Sequence, residues 1–194
     1  MNAEHYLKRK ERLLISAIRL LDEAGLAGVT TRELARREGI SEPAVYRHFD
    51  GKVDLLHAIL NRFSEFDIGL ENTVTENEMA PLEAIWYIVE IYAGNYAGYP
   101  EIADVMFSMD IRKYDGTLDV HLKEILGNRR NLMQKLVEKS ILQGELPGSP
   151  DAEAMAGLLS GLVGSATQQW KMQGMPYDLR QRVRRMLALI LPES

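Results

Sequence analysis

Apolar residues recur at intervals of three and four along almost the whole chain, as in Leu14, Ala17, Ile18 and Leu21, and again in Val183, Met186, Leu187 and Ile190. That spacing puts side chains on one face of an α-helix, and the alternation that builds a strand is absent. The chain is therefore expected to be all-α, with about nine helices cut by turn residues. Gly25, Gly39, Pro81, Pro100, Gly116, Gly144 with Pro147 to Pro150, and Gly174 with Pro176 mark the cuts. They frame helices over 6–24, about two turns from Thr30, a short helix after Ser41, and then 52–66, 81–97, 101–112, 118–143, 151–173 and 177–191. Residues 71–80 are polar and read as a loop. Asp50 and Ser41 are the expected N-caps of the helices that follow them.

No cysteine occurs among the 194 residues, which excludes disulfides, thiolate zinc sites and cysteine nucleophiles and suits a reducing cytoplasm. Met1–Glu11 carries no apolar stretch like a signal peptide. The most apolar run, 154–166, falls well short of the ~20 residues that cross a bilayer, so no membrane partner is expected. The net charge of -5 looks unsuited to nucleic acid, but it is unevenly spread. Residues 1–55 hold ten Lys and Arg against nine Asp and Glu, and the remainder holds 13 against 19. An acidic body and a locally basic face are compatible with DNA binding.

The local pattern of 30–49 is that of a helix-turn-helix. Thr30 and Glu33 form a capping box, Ala35 is small where two helices approach, Gly39 supplies a left-handed turn, and Val45 is an aliphatic core residue. Leu34, Ile40, Phe49 and Leu55 complete a small core. Glu42, Pro43, Ala44, Tyr46, Arg47 and His48 are left facing outward. Gly-Val-Thr-Thr-Arg-Glu-Leu-Ala at 28–35, Gly-Ile-Ser-Glu-Pro-Ala-Val-Tyr-Arg-His-Phe at 39–49, and Lys52 before Leu55 and Leu56 resemble the TetR family of bacterial transcriptional regulators. The resemblance covers the first quarter of the chain in particular.

It implies a DNA-binding domain over 1–50 and a ligand-sensing, dimerising domain over 51–194. It also implies a homodimer on a palindromic operator of double-stranded DNA. By position, Thr31, Tyr46, His48 and Lys52 match the family's phosphate-contacting places, and Arg32, Glu42, Pro43, Ala44 and Arg47 match places that face base edges. Chemistry agrees for the arginines, whose forked donors suit guanine. Lys52 begins a helix, where a cation opposes the dipole, so a structural purpose looks poor and phosphate binding better. The Tyr46 ring fits the small core with its hydroxyl reaching a phosphate. Glu42 is repelled by phosphates, yet it can accept from cytosine or favour the helix N-terminus. Lys8, Arg9, Lys10 and Arg12 are either a further backbone contact or a solvated face.

In the second part, Gly157, Gly161 and Gly164 interrupt an apolar helix on one face, each at a cost of about 1 kcal/mol relative to alanine. Close approach of another helix offsets this. The last helix, with Val183, Met186, Leu187 and Ile190, is the expected companion in a four-helix dimer interface, which the family resemblance also implies. Intramolecular packing is the alternative. Trp86, Tyr87, Tyr92, Tyr96, Met106, Phe107 and Met109, with Trp170, suit an apolar pocket with a few polar handles, although helical aromatics also make plain core. A neutral or mildly amphipathic small effector is expected there.

No cofactor and no metal site is expected. His5, His48, His57 and His121 are scattered, and there is no His-Glu metal motif, Gly-rich phosphate loop or Gly-x-Ser-x-Gly elbow. The expectation is thus a ligand-responsive repressor rather than an enzyme. An architectural or cell-division factor with the same DNA-binding module is the rival reading.

Overall fold

The computed structural model describes residues 8–146 and 151–192, and every regular element among them is helical. The order is α1 (Arg9–Gly28), α2 (Thr31–Glu38), α3 (Glu42–Tyr46), α4 (Lys52–Glu76), α5 (Pro81–Gly98), α6 (Pro100–Met106), α7 (Met109–Tyr114), α8 (Gly116–Leu142), α9 (Ala152–Met172) and α10 (Leu179–Leu187). The expected start at Tyr6 and the prolines at 147 and 150 lie outside the described residues.

The ends of these helices have local causes. Gly25 takes φ 64° and kinks α1 near its end. The Thr30 hydroxyl accepts from the Glu33 amide at 3.1 Å, and the Glu33 carboxylate is engaged by Arg36 rather than closing the capping box. Gly39 is left-handed at φ 63°, and the amides of Gly39 and Ile40 donate to Arg36 and Ala35 carbonyls, the Schellman arrangement. Ser41 makes no side-chain cap bond, so α3 begins on backbone geometry and Pro43 instead. Nor does the Asp50 side chain cap α4: Asp54, one turn in, accepts from the Asp50 amide at 3.0 Å.

Two boundaries differ from expectation. α4 runs ten residues beyond Phe66, because Leu70 continues its buried stripe and Thr73 and Thr75 return their hydroxyls to carbonyls four residues back. The span 101–112 is two helices, because Ser108 leaves the helix and its hydroxyl caps α7 by accepting from the Ile111 amide at 3.1 Å.

The chain divides into two compact units, each built from two segments: residues 1–64 with 104–123, and 65–103 with 124–194. In the first, Leu13, Leu14, Ala17, Leu34, Ala35, Val45, Phe49 and Leu55 are buried, the core expected for a helix-turn-helix, and Ile40 is half-buried. His57 of α4 and His121 of α8 meet there, Nδ1 to Nδ1 at 2.9 Å. In the second, α10 packs against α5 and α9. The Glu145 carboxylate accepts from the Leu82 amide at 2.9 Å, placing negative charge at the start of α5 where the dipole favours it.

Candidate nucleic-acid interface

The Schellman turn at Gly39 sets α3 against α2, and that packing decides which side chains of 42–48 reach solvent. Pro43, Tyr46 and Arg47 are exposed, while Glu42 and His48 are half-buried. Ala44 is a correction to the sequence reading: at 4% exposure it faces the core beside Val45. Which face of a five-residue helix turns inward is set by how α3 packs on α2, and so short a stretch shows no periodicity that would reveal it. Tyr46 also departs from expectation, since the residue is 50% exposed rather than part of the core.

Glu42, the acid that sits awkwardly beside a polyanion, has a partner. The Thr31 hydroxyl donates to Glu42 Oε1 at 2.6 Å, and Tyr46 Oη lies 3.4 Å from the same hydroxyl. One proton serves one acceptor, so at this separation Glu42 holds it and Tyr46 is left to donate. The trio ties the first turn of α2 to α3. Arg32 and Arg47 are exposed, and neither enters an ion pair among the described residues. His48 lies beside Phe49, with ring centroids 6.4 Å apart.

Lys52 requires a further correction, because it has a structural purpose. Its ammonium donates to the Leu26 carbonyl in the last turn of α1, and it stands 4.9 Å from the Tyr114 ring centroid. Burial pushes its pKa below the ordinary lysine value. The basic cluster at the start of α1 divides: Lys8, Arg9 and Lys10 are exposed, with Lys10 Nζ 5.4 Å from the Phe49 ring centroid, whereas Arg12 lies 3.3 Å from Glu38.

A family model described as "Bacterial regulatory proteins, tetR family" matches residues 13–59, and one described as "YsiA-like protein, C-terminal region" matches residues 61–193. The chain belongs to the TetR family. It is therefore a DNA-binding transcriptional regulator. This TetR regulator is 20% identical over 169 residues to the fatty acid metabolism regulator protein of Bacillus subtilis, across 87% of this chain and 86% of that one. It is 27% identical over 154 residues to the nucleoid occlusion factor SlmA of Vibrio vulnificus, across 72% and 79%. Among solved structures, FadR of Bacillus subtilis in complex with stearoyl-CoA superposes with a TM-score of 0.81 at 19% identity, over 95% of this chain and 98% of that one. At that identity the likeness is one of fold.

In the regulator's second unit, Trp86, Tyr92, Tyr96 and Trp170 are buried and Tyr87 is half-buried. The two indoles serve the fold, since a buried N–H needs an acceptor. Trp86 Nε1 donates to the Pro192 carbonyl at 2.9 Å, and Trp170 Nε1 to the Tyr177 carbonyl at 2.8 Å, closing the turn between α9 and α10. Met106 and Phe107 belong to the other unit, the first buried and the second half-buried. Met109, expected to line a pocket, is 55% exposed at the first turn of α7, because the helix break at Phe107–Ser108 turns it outward.

Tyr92 and Tyr96 belong to a network that the sequence reading missed. Arg129 of α8 grips Asp67 of α4 bidentately, at 2.7 Å through Nε and 2.9 Å through Nη2, with side chains 13% and 15% exposed. Tyr92 donates to Asp67 at 2.8 Å, Arg129 donates to Tyr96 Oη at 3.2 Å, and the guanidinium lies 4.5 Å from the Tyr92 ring centroid. Burial pushes the Tyr92 pKa far up. A signal existed: Asp67 falls on the stripe Phe63, Asp67, Leu70, and Arg129 on Leu122, Ile125, Arg129, Met133, Leu136, a charge in an otherwise apolar row each time.

The proposed dimer residues separate into two sets. Gly157 and Gly161 are exposed with open space where a Cβ would stand, beside Leu158 at 58% exposure. Gly164 is buried, and Val183 and Leu187 have no exposure, so these three belong to the protomer's own interior; this corrects their assignment to a surface. The cause is that α10 spends its apolar face on α5 and α9. Met186 and Ile190 remain half-buried at the edge of that packing.

Proposed function

We propose that this regulator is a homodimeric repressor that binds a palindromic operator through α2 and α3 and leaves it when an effector with an apolar body binds within residues 51–194. The division into a DNA-reading part, 1–50, and a sensing and dimerising part belongs to the same proposal, as does residence in the cytoplasm; no helix among the described residues is long and apolar enough to cross a membrane. The observation that carries the reading is the pairing of a Gly39-closed helix-turn-helix with two exposed arginines, Arg32 and Arg47, that have no ion pair among the described residues. In this reading they face base edges. Tyr46, His48, the Lys52 ammonium through the N–H donors not taken by the Leu26 carbonyl, and the start of α2 at Thr31 face phosphates, and the Thr31 side chain is already held by Glu42, so its backbone amide is the donor.

Two-fold symmetry would set the recognition helices in successive major grooves about 34–36 Å apart. Release requires the effector to prefer a conformation that no longer matches this spacing. Reversing a 99:1 population takes about 5.5 kcal/mol of preference, within reach of a filled apolar site. The stearoyl-CoA bound by FadR supports a long apolar chain as the buried part of the effector, with charge confined to its carrier.

Selection from a random duplex library at near-physiological salt tests the reading, because non-specific attraction is then weakened. Enrichment of one palindrome, weakened in Arg47→Ala by about 1–3 kcal/mol, is the expected result. No enrichment by a folded dimer would sink it. The SlmA relative keeps the cell-division alternative testable in the same way: genomic binding at a few promoter palindromes favours repression, and many dispersed sites favour the rival.

A further inference from the structure

Two histidines that stand 64 positions apart in the chain meet inside the first unit, His57 of α4 and His121 of α8. Their rings stack at 22° with centroids 5.2 Å apart, and the two Nδ1 atoms lie 2.9 Å from one another. Both residues are half-buried, so protons reach them without unfolding. A nitrogen–nitrogen contact this short is a hydrogen bond, which needs one Nδ1 with a proton and one without.

The neighbouring groups decide which is which. Thr117 has one hydroxyl proton and donates it to Asp115 Oδ1, and the same carboxylate oxygen accepts from the Thr117 amide at 2.8 Å. The Thr117 hydroxyl above all holds the Asp115 carboxyl below the ordinary aspartate range, so at neutral pH it accepts and cannot donate. The Thr117 oxygen therefore accepts from His57, whose Nε2 lies 2.9 Å away. A neutral His57 with its proton on Nε2 has a bare Nδ1, and His121 supplies the N–H between the rings. The charged groups one turn from the pair on its own helices are Asp54, which accepts from the Asp50 amide, and Glu124. Asp119 of α8 is taken by Arg112 of α7 and by Lys123, and the Lys52 ammonium by the Leu26 carbonyl of α1, beside the Tyr114 ring of α7.

We propose that this pair is a proton-operated latch between α4 and α8, through which acid weakens DNA binding. One added proton is compatible with the latch, since a single N–H still lies between the two Nδ1 atoms. Two are not, because each imidazolium then points an N–H at the other and the stacked rings carry like charge. Histidines exchange their protons between about pH 5 and 8, so the latch opens toward the acid end of that range. α4 is also the helix whose first turn is tied to α1 through Lys52, and its Leu55 is part of the helix-turn-helix core. Freed from α8, it sets the DNA-reading helices less firmly, and ordering them again on DNA lowers affinity. This input needs no effector. Only its consequence rests on the proposed operator binding; the latch itself is tested without DNA.

Nitrogen-15 NMR of the full-length protein at about pH 8 reads the tautomers. A proton on Nε2 of His57 and on Nδ1 of His121 is expected, and rings that carry no Nδ1 proton between them overturn the latch. The unfolded chain accepts both protons freely whereas the latched pair does not, so stability falls as pH falls. From about pH 8 to 5 the thermal unfolding midpoint of the wild type should therefore drop further than that of His57→Gln or His121→Gln. Equal drops in all three overturn the latch, whether or not an operator has been found. Fluorescence anisotropy with the selected operator at constant ionic strength then reads the consequence. Over the same pH range the wild type should lose about tenfold more affinity than either variant, a comparison in which the protonation of His48 at the DNA face cancels. Equal losses overturn the effect on DNA. Either variant decides alone should the other fail to fold.

Discussion

Glu42 shows how a single residue changes meaning once its neighbours are known. In isolation a carboxylate beside DNA is a liability; bonded to Thr31 at 2.6 Å it holds α2 and α3 in register. Glu42→Ala should therefore raise affinity for random DNA, by removing negative charge, while lowering discrimination for the operator about fivefold, since one hydrogen bond of roughly 1 kcal/mol no longer positions the pair. Fluorescence anisotropy with operator and scrambled duplexes at two salt concentrations separates these effects. Asp67 and Arg129 provide a sharper case. Removing one partner strands a mostly buried charge, so Asp67→Ala or Arg129→Ala should each cost about 3–5 kcal/mol in urea unfolding, while the double variant costs less than the sum. Additive losses would mean that the two side chains do not act as a pair.

Elements are decided by their ends. Gly39 combines φ 63° with open space around an added Cβ, so the whole penalty of Gly39→Ala is backbone strain, about 1–2 kcal/mol. Denaturant unfolding should show that loss without a change in slope, and DNA binding should fall with it. A neutral or stabilising result would mean that the turn relaxes, and the close setting of α3 on α2 would then need another cause. Gly25 plays the corresponding part in α1. Its kink comes just before Leu26, whose carbonyl Lys52 reaches, so the first turn of α4 is tied to the last turn of α1.

At the scale of the whole molecule the question is what covers α9. Within the protomer, a Cβ at Gly157 or Gly161 would meet nothing within 4 Å, so alanine at either should stabilise α9 by roughly 1 kcal/mol. If a partner's helix lies against them, the sign reverses: a methyl group obstructs close approach, and the dimer loosens. Sedimentation equilibrium of Gly157→Ala and Gly161→Ala should show weaker association, with Leu158→Asp abolishing it. Unaltered dimers that are more heat-stable would remove α9 from the interface. The exposed side of α9 also carries Met172 at 88% exposure, which gives such a face apolar reach beyond the glycines.

The helical class, the Gly39 turn, the buried set Leu34, Ala35, Val45 and Phe49, and the family were all legible in the sequence, because each rests on residues close together in the chain. Spacing reports a helix face, and a left-handed turn advertises itself as glycine. What the chain did not disclose is which apolar face meets which. Val183 and Leu187 look the same whether α10 packs on its own protomer or on another, and only tertiary packing against α5 and α9 places them inside. The pairing of Asp67 with Arg129 joins residues 62 apart, and Lys52 with Leu26 joins residues 26 apart. Short-range periodicity carries no information about such distant partners; they are set by how α4 lies against α8 and α1.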